Sequence, residues 1–405
     1  MTLTDAPARP VTGSPPDRFR SADSAAYPQA SSREEEWRFT PLAKFRVLLD
    51  GGPSDAVLTW DSVLPDGVEL LTLPADAPEL AQLPLPADRL SALARERSPA
   101  VTVLRIAKGA EPVEPVAVRL SGTGSADVVW THLVIDAGEQ SSAAVVIEYT
   151  GSARFAAETS VLVGDGARLN LVQVQDWAAD TVHGEHVGAR VGRDATLTHT
   201  AVGLGGGVVR IVPTVEFAGS GATARMYGVG FAGDGQHLES RLFVDHSVPE
   251  CTSDVVYKNV LTGQRTRTVW IGDVRIRPSA TGTRTFELNR NLLLSGGARA
   301  DSVPNLEIET GQIAGAGHAS ATGRFDDLQL FYLQARGIPE AEARRLVVRG
   351  FLAEVIHRIG LPELEQRLVA AIEHRLGAAP ATAGARADVL HDVHDDDKAN
   401  ELENA

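Results

Sequence analysis

From Gly164 to Phe217 the chain reads GDGARLNLVQVQDWAADTVHGEHVGARVGRDATLTHTAVGLGGGVVRIVPTVEF. Runs such as RLNLVQVQ, ATLTHTAV and VVRIVPTVEF are short and rich in β-branched residues, and Gly-containing turns bound them, which is the pattern of strands. The turns recur. GDGARLNLV starts at Gly164, GRDATLTHT at Gly192, GSGATARMY at Gly219 and GDGQHLESR at Gly233, giving steps of 28, 27 and 14 residues. Gly282 to Gly296 is again a step of 14. A unit of about 14 residues is one strand plus one turn, and two such units make one coil of a solenoid whose strands stack in register. Glycine suits the corners because a tight turn needs positive φ and close backbone approach. A sandwich with Gly-rich turns is the competing architecture.

The same texture extends from about Val101 to Ile313, through AAVVIEYT, ARMYGVGF, HLESRLFV, RTVWIGDVRI and NLEIET. No 10–15-residue helical pattern interrupts it, which argues against a doubly wound βαβ sheet. The expected core is therefore a β-helix over residues 101–325. Ahead of it, residues 33–100 read as a helical region. Trp37, Phe39, Leu42 and Phe45 anchor a short helix there, and Ala87 to Arg97 forms another in which Leu90, Leu93 and Ala94 share a face. Residues 1–32 are rich in Pro, Ser, Ala and Asp without an apolar period, and are expected to be disordered.

After Phe325 the period becomes helical. DDLQLFYLQARG makes one helix stopped by Gly337, and Pro339 opens the next as its first residue. On that second helix Val347, Phe351, Val355 and Ile359 form one stripe, and Val348, Leu352 and Ile356 its neighbour. A third helix starts at Pro362 and repeats Leu364, Leu368, Ile372 and Leu376. This helical domain is expected to span 326–377, with 378–405 a disordered acidic tail. Asp388 to Ala405 carries seven acids and one lysine.

The 405 residues carry a formal charge of −15, which disfavours nucleic acid or an anionic membrane as partner. No apolar run is long enough to span a bilayer and the N-terminus has no secretory h-region, so the expected location is the cytoplasm. Cys251 is the single cysteine, so neither a disulfide nor a C-x-x-C site can form. There is no phosphate-binding loop, no G-x-S-x-G and no H-E-x-x-H. His183 and His186 make an H-x-x-H on a strand or turn, read here as a solvated loop. His318 stands among small residues in AGAGHASATG, so another chain's backbone can approach its imidazole, a common iron and zinc ligand.

Four segments carry a family resemblance: YKNVLTGQRTRTVWIGDVRI, NRNLLLSGGARADSVPNLEIE, GHASATGRFDDLQLFYLQARGI and EARRLVVRGFLAEV, with EEEWRFTPL near the start. In this order they resemble the SufD type of the SufB/SufD family, subunits of the SUF iron–sulfur cluster assembly system. The SufB type carries a cysteine-containing segment where this chain has Leu293, Leu294 and Ser295. The resemblance implies a mainly β fold, a right-handed parallel β-helix flanked by N-terminal and C-terminal helical regions. It implies a non-enzymatic scaffold that pairs with SufB, binds the SufC ATPase through its C-terminal helices, and forms a homodimer when isolated. A transient iron–sulfur cluster or iron would be shared with SufB and not held stably by this chain alone. The family's histidine ligand matches His318; some members place a cysteine two residues earlier, where this chain has Ala316. The stripe through Phe351, Val355 and Ile359 is the expected partner-docking surface, with packing inside the molecule as its competing assignment. A β-helix enzyme acting on polysaccharide is the alternative function. It would need an acidic and basic cluster on one solenoid face, which is not evident.

Overall fold

The computed structural model describes residues 19–325 and 327–378. Sixteen strands run along the described residues: β1 (Thr59–Val63), β2 (Val68–Leu73), β3 (Val101–Ile106), β4 (Val116–Ala137), β5 (Ser142–Val163), β6 (Arg168–Trp177), β7 (Val182–Val191), β8 (Thr196–Gly203), β9 (Val208–Phe217), β10 (Thr223–Ala232), β11 (His237–His246), β12 (Thr252–Leu261), β13 (Thr266–Ile276), β14 (Arg284–Leu293), β15 (Ala298–Ile308) and β16 (Gly315–Arg324). Helices α1 (Leu42–Leu49) and α2 (Arg89–Arg97) precede the solenoid core, and α3 (Asp327–Ala335), α4 (Glu340–Ile356) and α5 (Pro362–Ala378) follow it.

From β4 onward every ladder is parallel, and the strands fall into two stacks. The first halves of β4 and β5 lead into β6, β8, β10, β12, β14 and β16. Their second halves lead into β7, β9, β11, β13 and β15. The register is continuous: Arg168 pairs with Thr196, then Thr223, Thr252, Arg284 and Gly315. Arg168 to Thr196 is thus a coil of 28 residues, and Thr252 to Arg284 one of 32. This is the parallel β-solenoid expected from the glycine spacing, not a sandwich.

The corners explain that spacing. Gly166, Asp194, Gly221, Glu250 and Gly282 all have positive φ. The Gly166 amide donates to the Arg193 carbonyl and the Asp194 amide to the Ser220 carbonyl, so successive corners are laced together. Gly192 meets the neighbouring coil edge-on: a Cβ there would lie 2.6 Å from Asp165 Oδ1 and 2.9 Å from the Asp165 nitrogen. Inside the coils, alternate residues build one apolar column through Leu120, Ile147, Phe155, Leu171, Trp177, Met226 and Trp270.

Both outer faces are covered. On the second stack lie α1, α2 and the preceding segment, packing Trp37, Phe45, Leu48, Leu90 and Leu93 with Trp130, Ala156 and Val208. The chain approaches so closely that a Cβ at Gly184 would meet Leu90 Cδ2 at 2.3 Å. Buried Arg210 ties the layer down. It donates to Asp88 Oδ2 at 2.5 Å, to Glu239 Oε1 at 3.3 Å and to Glu36, with its guanidinium 4.4 Å from the Trp37 ring centroid. Burial raises the Asp88 carboxyl, but Arg210 and the Ser91 amide outweigh it and hold the group below its ordinary value.

Three expectations need correction. Residues 19–32, expected to be disordered, include an ordered arm. The Ser24 amide donates to Glu96 at 2.7 Å, the Tyr27 hydroxyl donates to the Pro86 carbonyl at 2.7 Å, and Ala30 is buried. A few polar anchors and one small apolar contact replace the missing periodicity. Residues 33–100 are not purely helical: β1 pairs antiparallel with β4, and β2 with β3. Pro339 caps α4 from outside instead of being its first residue. Residues 1–18 and 379–405, the remainder of the two segments expected to be disordered, lie outside the described residues.

Candidate metal site on the terminal coil

His318 sits on β16, the last strand of its stack, directly opposite Glu287 of β14 in the parallel register. The burial alternation of β14 sends Thr285, Glu287, Asn289 and Asn291 toward the interior. Their partners on β16 are Ala316, His318, Ser320 and Thr322. Among the described residues no further coil covers β16, and its residues from His318 onward are exposed. The other six solenoid histidines, His132, His183, His186, His199, His237 and His246, are all buried. His318 is therefore the solenoid imidazole a second molecule can reach.

Beneath it Glu287 is 0% exposed, and neither carboxylate oxygen has a hydrogen-bond partner among the described residues. Its carboxyl crosses the interior: a Cβ at Gly272 on β13 would lie 2.5 Å from Glu287 Oε1 and 2.4 Å from Trp270 Cη2. Burial pushes the Glu287 carboxyl up to about 8, because taking the charged form out of water is costly without a partner. Sequence reasoning missed Glu287. In RTFELN it reads as an ordinary polar position of an alternating strand, and only the stacked coils show which face is buried.

The remaining chemistry-bearing residues are internal. His183 and His186, read as a solvated loop, are buried on β7. Trp177 Nε1 donates to His183 Nδ1 at 3.1 Å, and His186 contacts Glu158 Oε2 and Thr214 Oγ1, each at 2.8 Å. The H-x-x-H motif is part of the packing between coils. The Cys251 thiol is buried at a corner, 3.5 Å from the Gly219 carbonyl, and burial raises its pKa, so it is a poor thiolate. Among the described residues no group of three or more His, Cys, Asp or Glu side chains is arranged to hold a metal ion.

Of the two assignments open for the stripe through Phe351, Val355 and Ile359, partner docking and packing inside the molecule, the structure shows the packing. Val355 and Ile359 are buried against the outer face of the first stack, with Val348, Leu352, Leu364 and Leu368. Phe351 is half-buried beside them, with Lys258 Nζ 4.9 Å from its ring centroid and donating to its carbonyl at 3.0 Å. This sheet face presents Val174, Val202, Tyr227, Phe231 and Val256, and it takes up the apolar side of α4. The stripe is a core contact, because an apolar sheet face and an apolar helix face of one chain bury each other first. The large apolar side chains left in solvent here are Phe331, Tyr332 and Leu346, on α3 and α4.

The fold and site define a parallel β-solenoid protein with helical layers on both faces and one solvent-facing imidazole on its last coil, lacking a three-ligand metal centre among its described residues. A family profile described as SUF system FeS cluster assembly, SufBD core domain, matches residues 119–351. An iron–sulfur cluster assembly SufBD family protein of Mycobacterium bovis is 49% identical over 373 residues, covering 90% of this chain and 94% of that one. One from Mycobacterium leprae is 46% identical over 365 residues, covering 88% and 93%. A second, more distant SufBD family protein of the same Mycobacterium bovis strain is 29% identical over 207 residues, 51% of this chain and 24% of that one. The chain belongs to the SufB/SufD family of iron–sulfur cluster assembly proteins. No helix among the described residues is long and apolar enough to cross a membrane.

Proposed function

We propose that this chain is the SufD-type scaffold subunit of a cytoplasmic cluster-assembly complex, and that His318 is its iron or cluster contact at the interface with a SufB-type partner. The observation that carries the reading is the exposure of His318 on an uncovered terminal strand, when the other six solenoid histidines are buried. A neutral imidazole is an iron ligand, and a chain with one buried cysteine cannot enclose a thiolate-ligated cluster by itself. The cluster or its iron is cargo, completed by ligands from the partner. Pairing with a second family member is supported by the presence of both a close and a distant relative in one Mycobacterium bovis strain.

The C-terminal helices are the proposed dock for a SufC-type ATPase, since the sequence has no phosphate loop of its own. Phe331, Tyr332 and Leu346 are better candidates for that contact than the buried stripe, because they are already in solvent. Phe351, Val355 and Ile359 would support docking by fixing α4 on the solenoid. Affinity isolation of the tagged chain from its native cell tests the reading. Recovery of a second SufB/SufD-family chain and an ATPase is expected. Isolation of the chain alone or as a homodimer, under conditions that preserve other complexes, would overturn it.

A further inference from the structure

We propose that the terminal coil contributes two metal contacts instead of one, with the Glu287 carboxylate joining the His318 imidazole on a divalent iron. This rests on the assignment of His318 as an iron contact and adds a residue that the sequence did not point to.

Three observations carry it. First, Glu287 and His318 are direct register partners on adjacent parallel strands. Such strands lie about 4.8 Å apart. Two ligand atoms on one metal can be about 4 Å apart when each bond is about 2.1 Å, so side-chain rotation suffices to bring both onto one ion. Second, both Glu287 oxygens are buried without a partner among the described residues. Buried carboxylates are ordinarily paired, hydrogen-bonded or metal-bound. Third, Ala316, Gly317 and Ala319 flank His318 with little bulk, which leaves space for the Glu287 carboxyl to turn toward β16 from its resting place against Gly272 of β13. Glu287 alone would be a neutral core acid. Glu287 below an open coil that ends in an imidazole is half of a mixed nitrogen and oxygen donor set, suited to iron before sulfur arrives.

The test uses the full-length chain with Co2+ as the spectroscopic stand-in for Fe2+. Wild type, Glu287→Gln and His318→Ala are titrated with Co2+ while the visible d–d bands and the melting temperature are recorded. Glu287→Gln keeps shape and volume, so circular dichroism of the apo protein should match wild type. The proposal expects wild type to gain a cobalt band and a higher melting temperature, and both variants to lose the part of each signal that depends on His318. A Glu287→Gln protein that retains that signal while His318→Ala loses it would overturn the role of Glu287 and leave His318 as the single contact. If His318→Ala also keeps the full signal, the assignment of His318 itself fails. Absence of any cobalt signal from wild type at millimolar metal would rule out a two-contact site on this chain.

Discussion

Glu287 and His318 face each other across one ladder step, yet the first is fully buried and the second is in solvent. The asymmetry comes from position: β14 has β16 beyond it, and β16 has no further strand beyond it among the described residues. Because His318 is exposed, His318→Ala should change stability by no more than about 0.5 kcal/mol. Thermal denaturation of the two proteins side by side checks this.

The layer over the second stack depends on Arg210. Replacing it by Ala leaves Asp88 buried without its cation and removes one of the partners of buried Glu239, which keeps Thr40 and His237. Breaking a buried pair in this way typically costs about 3–5 kcal/mol. Urea denaturation of Arg210→Ala should show that loss, and Arg210→Met should lose less because it fills the volume over Trp37.

Leu352 lies fully buried between α4 and the first stack. Leu352→Ala should cost about 2–5 kcal/mol by leaving a cavity. Removing Phe331, Tyr332 and Leu346 together, as Phe331→Ser, Tyr332→Ser and Leu346→Ser, should leave the melting temperature close to wild type while weakening ATPase capture. Equal capture by the triple variant would show that the exposed patch is not the dock.

Acid should destabilise the protein through its buried imidazoles. Burial depresses His132 to about 3, and His199 and His246 to about 4. Each ring is neutral in the fold and protonates near 6.5 once unfolded, so the unfolded state binds more protons between those values. Stability contributed by these rings is complete above about pH 6.5 and declines as pH falls toward 4. His199→Gln should flatten that decline in a series of melts from pH 7 to 4.5. An unchanged slope would mean the ring is protonated in the fold.

Much of the architecture was legible because a solenoid repeats its turn chemistry. Gly164, Gly192 and Gly219 recur at the coil length since each lies against the corner of the preceding coil. β1 and β2 were not legible: TWDSV and VELLTL are short, antiparallel additions whose burial depends on β3 and β4. The H-x-x-H was misread because strand alternation assigns His183 and His186 to opposite faces, and both faces are covered here. The stripe on α4 was visible as a pattern, but periodicity gives a face and not its occupant. His318 was found from its small neighbours and the family likeness. Glu287 could not be found, since its burial is set by a coil 31 residues later, from Arg284 to Gly315.

The central claim is that His318 holds iron or a nascent cluster where this chain meets its SufB-type partner. The decisive measurement is iron and acid-labile sulfide per assembled complex, on complexes purified anaerobically with wild-type chain and with His318→Ala. The account predicts an intact complex of unchanged subunit composition whose cluster content falls sharply in the variant. Equal iron and sulfide in the two intact complexes would contradict it.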